Sequence, residues 1–301
     1  MADGSGGTWL FTGSGVALVT PFGDDGGVNE GVLRELVRFH LREGTDALVV
    51  NGSTGEATTM SPDEQLQSAR VVVDEAGGRI PVIVGCGGSD TAAVSRLAAN
   101  ARAAGADAVL VSPPPYNKPP QRGIVAHYRR VMDAADLPCI VYNVPGRTAC
   151  NITPETVVEL AEDPRVVGVK EASGDIVQVA ELCRRLGDRV AVYSGNDDQV
   201  IPLMSLGGVG VISVLANVAP ADTTRMAKAF LAGEVAEARR LQLGLLPLIA
   251  ALFREPNPMP VKAAVRLLGF DVGPLRLPLV EPTDAVMVDV REAMTALGLL
   301  R

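Results

Sequence analysis

A lysine closes the apolar run Val166-Val167-Gly168-Val169-Lys170, and the small and polar residues Glu171-Ala172-Ser173-Gly174 follow it. Such a run predicts a buried parallel strand whose last side chain emerges at a strand-to-helix turn. An ammonium is penalised in an apolar setting, so burial favours the neutral amine, and a neutral amine attacks carbonyl carbon. A free lysine has a pKa of about 10.4, which leaves roughly one molecule in a few thousand neutral at pH 7. Holding the pKa about 3 below that value shifts the balance by ~4 kcal/mol and opens Schiff-base chemistry. The alternative is a lysine that snorkels out at a strand end.

Two further stretches carry groups that such chemistry needs. Gly52-Ser53-Thr54-Gly55-Glu56 is a glycine-flanked hydroxyl pair at a strand end, where backbone N–H groups and two hydroxyls can hold a small anion. An ordinary Ser/Thr/Gly turn has the same composition. Tyr142-Asn143-Val144-Pro145-Gly146-Arg147-Thr148 places a phenol at a strand end and a guanidinium five residues later. Tyr142 can move a proton beside a nucleophile, and Arg147 can grip a carboxylate through two N–H groups. A loop-anchoring tyrosine and an exposed arginine account for the spacing equally well. Tyr116 lies in the proline-rich loop Pro113 to Pro120, a rigid platform for an aromatic in a site or at a subunit contact. His127 falls within a helical pattern and reads as structural or solvent-facing.

The elements that must position these groups alternate along the chain. Strands are expected at Gly15–Phe22, Asp46–Val50, Pro81–Gly85, Asp107–Ser112, Pro138–Tyr142, Val166–Lys170, Val190–Ser194 and Val209–Val214. Helical stripes lie between them, at Val32–Glu43, from Ser61, at Thr91–Ala104, Gly123–Ala135, from Thr153, and at Asp175–Leu186. Ser61-Pro62-Asp63-Glu64 is a helix start in which Ser61 caps and Glu64 completes a capping box. Eight such units of about 25 to 30 residues predict an α/β fold, a TIM (β/α)8 barrel. A doubly wound open sheet is disfavoured because no GxGxxG follows the first strand. The polar residues Thr20, Ser53, Thr54, Tyr142, Lys170 and Ser194 fall at carboxyl ends of strands, where barrel enzymes place their chemistry. The expected organisation is a flexible tail over residues 1–12, the barrel over 13–220, and a C-terminal helical extension over 221–301 packed on it. Helices are expected there at Asp222–Ala232, Val235–Phe253, Val261–Leu268 and Thr283–Leu297.

Composition narrows the function. The 301 residues are 47% hydrophobic, enough for an extensive core, and carry a formal charge of −8 without blocks of like charge. No basic patch is present, so nucleic acid is not an expected partner. The four cysteines form no CxxC pair and there are only two histidines, so no metal is expected. No basic n-region precedes an apolar core at the N-terminus, and proline interrupts the longest apolar runs. A cytoplasmic protein without a membrane segment is the expectation.

Taken together, GVALVTPF, GSTGE, SPPPYNKPPQRG, YNVPGRT, VVGVKEASGD, SGND, GVISVLANV and EPNPMPVKAA resemble the dihydrodipicolinate synthase family of pyruvate-dependent Schiff-base aldolases. The resemblance runs over nearly the whole chain, and the order and spacing of the motifs make it specific. It implies that Lys170 forms an imine with pyruvate and that Thr54 and Gly55, with the GSTGE backbone, hold the pyruvate carboxylate. Ile212 would offer its main-chain oxygen beside the bound pyruvate, and Gly195 of SGND belongs to the same substrate site. Tyr142 would donate and accept protons at the imine, with Ser53 and Tyr116 completing a relay. In the family the counterpart of Tyr116 crosses from a neighbouring subunit, which implies at least a homodimer and usually a homotetramer. Arg147 would bind the carboxylate of L-aspartate-4-semialdehyde, the second substrate beside pyruvate. No cofactor is implied. The resemblance leaves open an N-acetylneuraminate lyase, a keto-deoxy sugar acid aldolase, or a catalytically silent keto-acid-binding paralogue.

Two departures from the family pattern stand out. Ser53 occupies a position that is usually threonine in the synthases and is familiar as serine in the sialic-acid lyase branch. Pro115 replaces a tyrosine that helps to bind L-lysine in feedback-regulated members. The other effector positions hold Ala57, Pro62, Gln65, Ser89 and Ala93, so weak or absent inhibition by L-lysine is expected.

Overall fold

Short apolar strands followed by amphipathic helices have few ways to bury both faces, and here they close on themselves. In the computed structural model, which describes residues 9–300, eight parallel strands form a closed barrel in sequence order. They are β1 (Gly13–Ala17), β2 (Ala47–Val50), β3 (Val82–Cys86), β4 (Ala108–Val111), β5 (Cys139–Asn143), β6 (Val166–Glu171), β7 (Ala191–Ser194) and β8 (Gly210–Ser213). Pairing of Gly13 with Gly210 closes the ring. A Cβ on Gly210 would lie 2.1 Å from the Gly13 oxygen, so glycine is required at the seam.

Alternation along the strands divides the core in two. Leu48 and Val50 of β2, with Val82 and Val84 of β3, face the helices. Ala47 and Val49, with Ile83, Leu110, Ile140 and Tyr193, fill the barrel. Both faces are apolar, which is why these strands read as continuous hydrophobic runs.

The helices are α1 (Glu30–Arg42), α2 (Pro62–Ala76), α3 (Thr91–Ala104), α4 (Gln121–Ala135), α5 (Pro145–Thr148), α6 (Pro154–Leu160), α7 (Ile176–Leu186), α8 (Val200–Met204), α9 (Pro220–Leu231), α10 (Val235–Leu252), α11 (Met259–Leu267) and α12 (Asp284–Ala296). Their starts follow local chemistry. Ser61 and Glu64 form the expected capping box on α2, and Asp90 caps α3 by accepting from the N–H groups of Ala92 and Ala93. His127 on α4 is buried, and its Nδ1 lies 2.9 Å from Thr91 Oγ1, a structural contact.

Three features depart from the sequence expectation. The first concerns the tail. Residues 1–8 lie outside the described residues, but Phe11, expected to belong to the tail, is buried and stacks on Tyr193 with ring centroids 4.4 Å apart. Tyr193 Oη also donates to the Phe11 main-chain oxygen at 2.7 Å. The segment therefore fills part of the barrel interior, because a tyrosine there needs a partner for its hydroxyl.

The second is the boundary at residue 220. Helix α9, counted with the extension, packs on β1 and β8 and is the barrel's own eighth helix. The appended bundle is α10 to α12. The third is β1, which begins at Gly13 and ends at Ala17, where Asn217 replaces strand partners: its Nδ2 donates to the Ala17 oxygen at 2.8 Å and its Oδ1 accepts from the Val19 N–H at 3.1 Å.

An irregularity in the β5–β6 ladder bears directly on the site. Cys139 pairs with Val166 and Ile140 with Gly168, so Val167 is an extra residue that resets the alternation. Val169 thereby faces the helices, and Lys170 faces the barrel mouth. Further up the ladder Tyr142 and Lys170 are direct register partners.

Candidate active site at the carboxyl ends of the strands

The barrel mouth holds a small cavity, about 520 Å³ of empty space including its opening, and Lys170, Tyr142, Thr54 and Arg147 all line it. Lys170 is 5% exposed. Burial pulls its pKa from the ordinary 10.5 down to about 8; the buried Asp197 carboxylate opposes this, and the Arg147 guanidinium adds to it. Roughly one Lys170 in ten is then neutral at pH 7, against one in a few thousand for a free side chain. The amine lies 4.4 Å from the centroid of the Tyr142 ring, over its π-face. Burial pushes the Tyr142 phenol up to about 12, so it keeps its proton at neutral pH.

Asp197 is held firmly. Its carboxylate accepts from Ser213 Oγ at 2.5 Å and from the N–H groups of Val214 and Leu215 at 3.0 and 2.9 Å. Burial raises its pKa, and these bonds and Lys170 oppose the rise. It is a buried acceptor network that ties β8 to the turn after β7.

Gly195 lies on that turn and packs against the lysine stem. A Cβ there would sit 2.6 Å from Ala172 Cβ and 3.1 Å from Lys170 Cε. Its N–H donates to the Glu171 oxygen at 2.7 Å. Only glycine leaves Lys170 its place.

The GSTGE turn after β2 is pinned from below. Gly55 N–H donates to the Gly52 oxygen and Glu56 N–H to the Ser53 oxygen. Glu56 takes a left-handed conformation at φ 54°, and its carboxylate is fully buried. One carboxylate oxygen meets Lys262 Nζ at 2.7 Å, and the other accepts from the Arg276 N–H at 2.9 Å. Lys262 also donates to the Pro274 oxygen at 2.8 Å and lies over the Phe22 ring. Desolvation lowers the Lys262 pKa, and Glu56 opposes that. Removing one partner of such a buried pair costs about 3–5 kcal/mol. The appended bundle is thus bound to the GSTGE turn by an ion pair that the barrel alone lacks.

Arg147 is carried by α5, a short helix that proline-led PGRT forms and that the sequence reading leaves as loop. Its Nη2 donates to the main-chain oxygen of Asn257 at 3.1 Å. Asn257 lines the cavity too, and its Nδ2 donates to Thr54 Oγ1 at 3.0 Å. The EPNPMPVK segment stands out in the sequence, but nothing in its spacing assigns Asn257 a role. The available signal was a lone amide fixed between prolines just before an apolar helix. Asn196 and Phe253 also line the cavity, and no motif in the sequence assigns either a role.

The other expected site residues fall in four places. Ser53 and Gly195 line the cavity, Ser53 on its exposed rim. Gly55 and Ile212 do not line it: Gly55 lies under the turn against Thr20, and Ile212 is buried inside the barrel. Tyr116 is 90% exposed, outside its own chain's cavity, with φ at 69°. Among the described residues no group of three His, Cys, Asp or Glu is placed to hold a metal, and no helix is long and apolar enough to cross a membrane.

Comparison with known proteins follows the same line. The model of the dihydrodipicolinate synthetase family matches residues 10–297. A 4-hydroxy-tetrahydrodipicolinate synthase of Thermoanaerobacter sp. is 53% identical over 293 residues, 97% of this chain and 98% of that protein. The dihydrodipicolinate synthase structure from Thermotoga maritima superposes with a TM-score of 0.94 at 41% identity, covering 97% of this chain and 100% of that one. The DHDPS of Cyanidioschyzon merolae, solved with lysine bound, gives a TM-score of 0.94 at 42% identity over 97% of this chain and 100% of that one.

Proposed function

The chain belongs to the dihydrodipicolinate synthetase family, and from that premise we infer how its cavity performs the reaction. The enzyme is a lyase that condenses pyruvate with L-aspartate-4-semialdehyde to give 4-hydroxy-tetrahydrodipicolinate, in lysine and diaminopimelate synthesis. The assignment of roles rests on one observation: a buried amine with a pKa near 8 is register-paired with a tyrosine in a cavity that also holds an arginine.

Neutral Lys170 attacks C2 of pyruvate, and water leaves to give an iminium. Tyr142, still protonated, supplies a proton to the departing oxygen. Thr54 and the GSTGE backbone hold the pyruvate carboxylate. The iminium withdraws electrons, a methyl proton leaves, and the enamine attacks the aldehyde carbon of the second substrate. Arg147 holds that substrate's carboxylate. The semialdehyde's own amine then attacks the imine carbon, closes the ring and displaces the Lys170 nitrogen. Ser53 and Tyr116 extend the proton path from Tyr142. Because Tyr116 lies outside its own cavity, this role requires a second subunit. We place the enzyme as a homotetramer in the cytoplasm on the family resemblance.

Borohydride reduction in the presence of pyruvate, followed by mass mapping, tests the imine. The adduct is expected on Lys170, and aspartate semialdehyde is expected to turn over far faster than any sugar aldehyde. An adduct elsewhere, or preference for a sugar aldehyde, overturns the reading. Arg147→Ala is expected to lose far more activity with aspartate semialdehyde, whose carboxylate Arg147 would hold, than with a sugar aldehyde, which offers no matching carboxylate.

A further inference from the structure

Asn257 offers different groups to its two partners. Its main-chain oxygen accepts from Arg147, while its side-chain Nδ2 donates to Thr54 Oγ1 at 3.0 Å. The residue is 5% exposed, and its Oδ1 is buried with no partner. A hydroxyl has one hydrogen and two lone pairs. The Asn257 N–H fills a lone pair of Thr54 Oγ1, so the hydroxyl hydrogen is not spent on this contact. Thr54 Oγ1 makes no other hydrogen bond among the described residues.

We propose that Asn257 is a positioning residue: by donating to Thr54 Oγ1 it leaves the hydroxyl hydrogen for the cavity, where a 2-oxo acid's carboxylate accepts it. This rests on the reading of Thr54 as part of the carboxylate site. The opposite rotation of the amide would let Oδ1 take the hydroxyl hydrogen. The incoming carboxylate would then meet lone pairs. Arg147 is bound through the main chain of residue 257, which a substitution there leaves in place.

Asn257→Asp separates the two arrangements. A carboxylate can only accept, so it captures the Thr54 hydrogen and opposes the substrate's charge. The expected result is a rise in the pyruvate KM of about 100-fold. An unchanged pyruvate KM overturns the proposal. Asn257→Ala is expected to raise the pyruvate KM about tenfold in the wild type and less than about twofold in a Thr54→Val background, because the effect passes through Thr54. An equal cost in both backgrounds also overturns it. The alanine cycle decides the matter should the aspartate variant fail to fold. Thr54→Val measured alone keeps the two readings apart. If it leaves pyruvate binding intact, the carboxylate-site reading of Thr54 fails and takes this proposal with it. If Thr54→Val weakens pyruvate and the Asn257 variants do not, the proposal alone falls.

Discussion

Gly195 and Lys170 share a space that holds one side chain. A Cβ at residue 195 would lie 3.1 Å from Lys170 Cε, and 2.6 Å from Ala172 Cβ on the other side. The backbone cannot retreat cheaply, because Gly195 N–H is bonded to the Glu171 oxygen on the neighbouring strand. Gly195→Ala is therefore expected to push the lysine stem aside. A misplacement of about 1 Å at a nucleophile costs on the order of 100-fold in rate. The expected outcome is a loss of about that size in kcat/KM for pyruvate, with borohydride trapping slowed in parallel. Wild-type trapping rates in this variant would show that the stem has room to spare.

The low pKa of Lys170 also sets a stability cost. Its folded pKa, about 8, lies below the ordinary 10.5. Between those values the unfolded chain binds more protons than the folded one, so stability rises with pH from about 8 to about 10.5. Below pH 8 the full penalty is present, about 3 kcal/mol at 1.36 kcal/mol per pKa unit. Lys170→Met is expected to abolish imine formation and to raise stability at pH 7 by about 2–3 kcal/mol in denaturant titration. The gain should disappear above pH 10.5. A gain that does not change with pH would mean that packing, not charge, is responsible.

How far the sequence reaches is clear from individual residues. Helix α3 was bounded correctly because Asp90 and Gly105 act locally, one as cap and the other at φ 85°. The closed barrel followed from repetition of one unit. Val167 was different. Val-Val-Gly-Val-Lys has no pattern that reveals an extra residue, since both strand faces are apolar, yet that residue turns Lys170 inward. Asn257 was illegible for another reason. Its partners Thr54 and Arg147 are 203 and 110 residues away in the chain. Phe11 looked like tail because only the barrel interior, built from strands far along the chain, gives it a neighbour in Tyr193.

L-lysine is expected to inhibit turnover weakly or not at all. The positions that would grip it are occupied or apolar. Gln65 Nε2 is engaged with the main-chain oxygens of Ala57 and Met60 at 2.9 and 3.3 Å. Ser89 Oγ donates to the Pro115 oxygen at 3.0 Å. Pro62 and Ala93, which with Gln65 line a neighbouring cavity of about 690 Å³ of empty space including its opening, have no side-chain hydrogen-bonding group. Arg96 is the one charged residue lining that cavity, so an ammonium entering there would lose water without gaining a carboxylate partner. Initial rates with about 1 mM L-lysine should match those without it, and half-inhibition below about 1 mM would show that other groups bind it.

Subunit complementation tests the role of Tyr116. The tyrosine is 90% exposed and held at φ 69°, a left-handed conformation that costs a non-glycine residue about 1–2 kcal/mol. Its loop is braced by Asn117 Nδ2 donating to the Ser89 oxygen at 2.9 Å. A strained, braced and exposed aromatic suits a contact outside its own chain. Tyr116→Ala alone and Lys170→Met alone should each be nearly inactive. Mixed, denatured and refolded together, the two variants should form hybrid oligomers in which an intact Lys170 faces an intact Tyr116 from the other subunit. Recovery of about a quarter of wild-type activity per total site is expected from random pairing in equal amounts. If Tyr116 serves its own subunit, no intact site can form and the mixture stays as inactive as its parents.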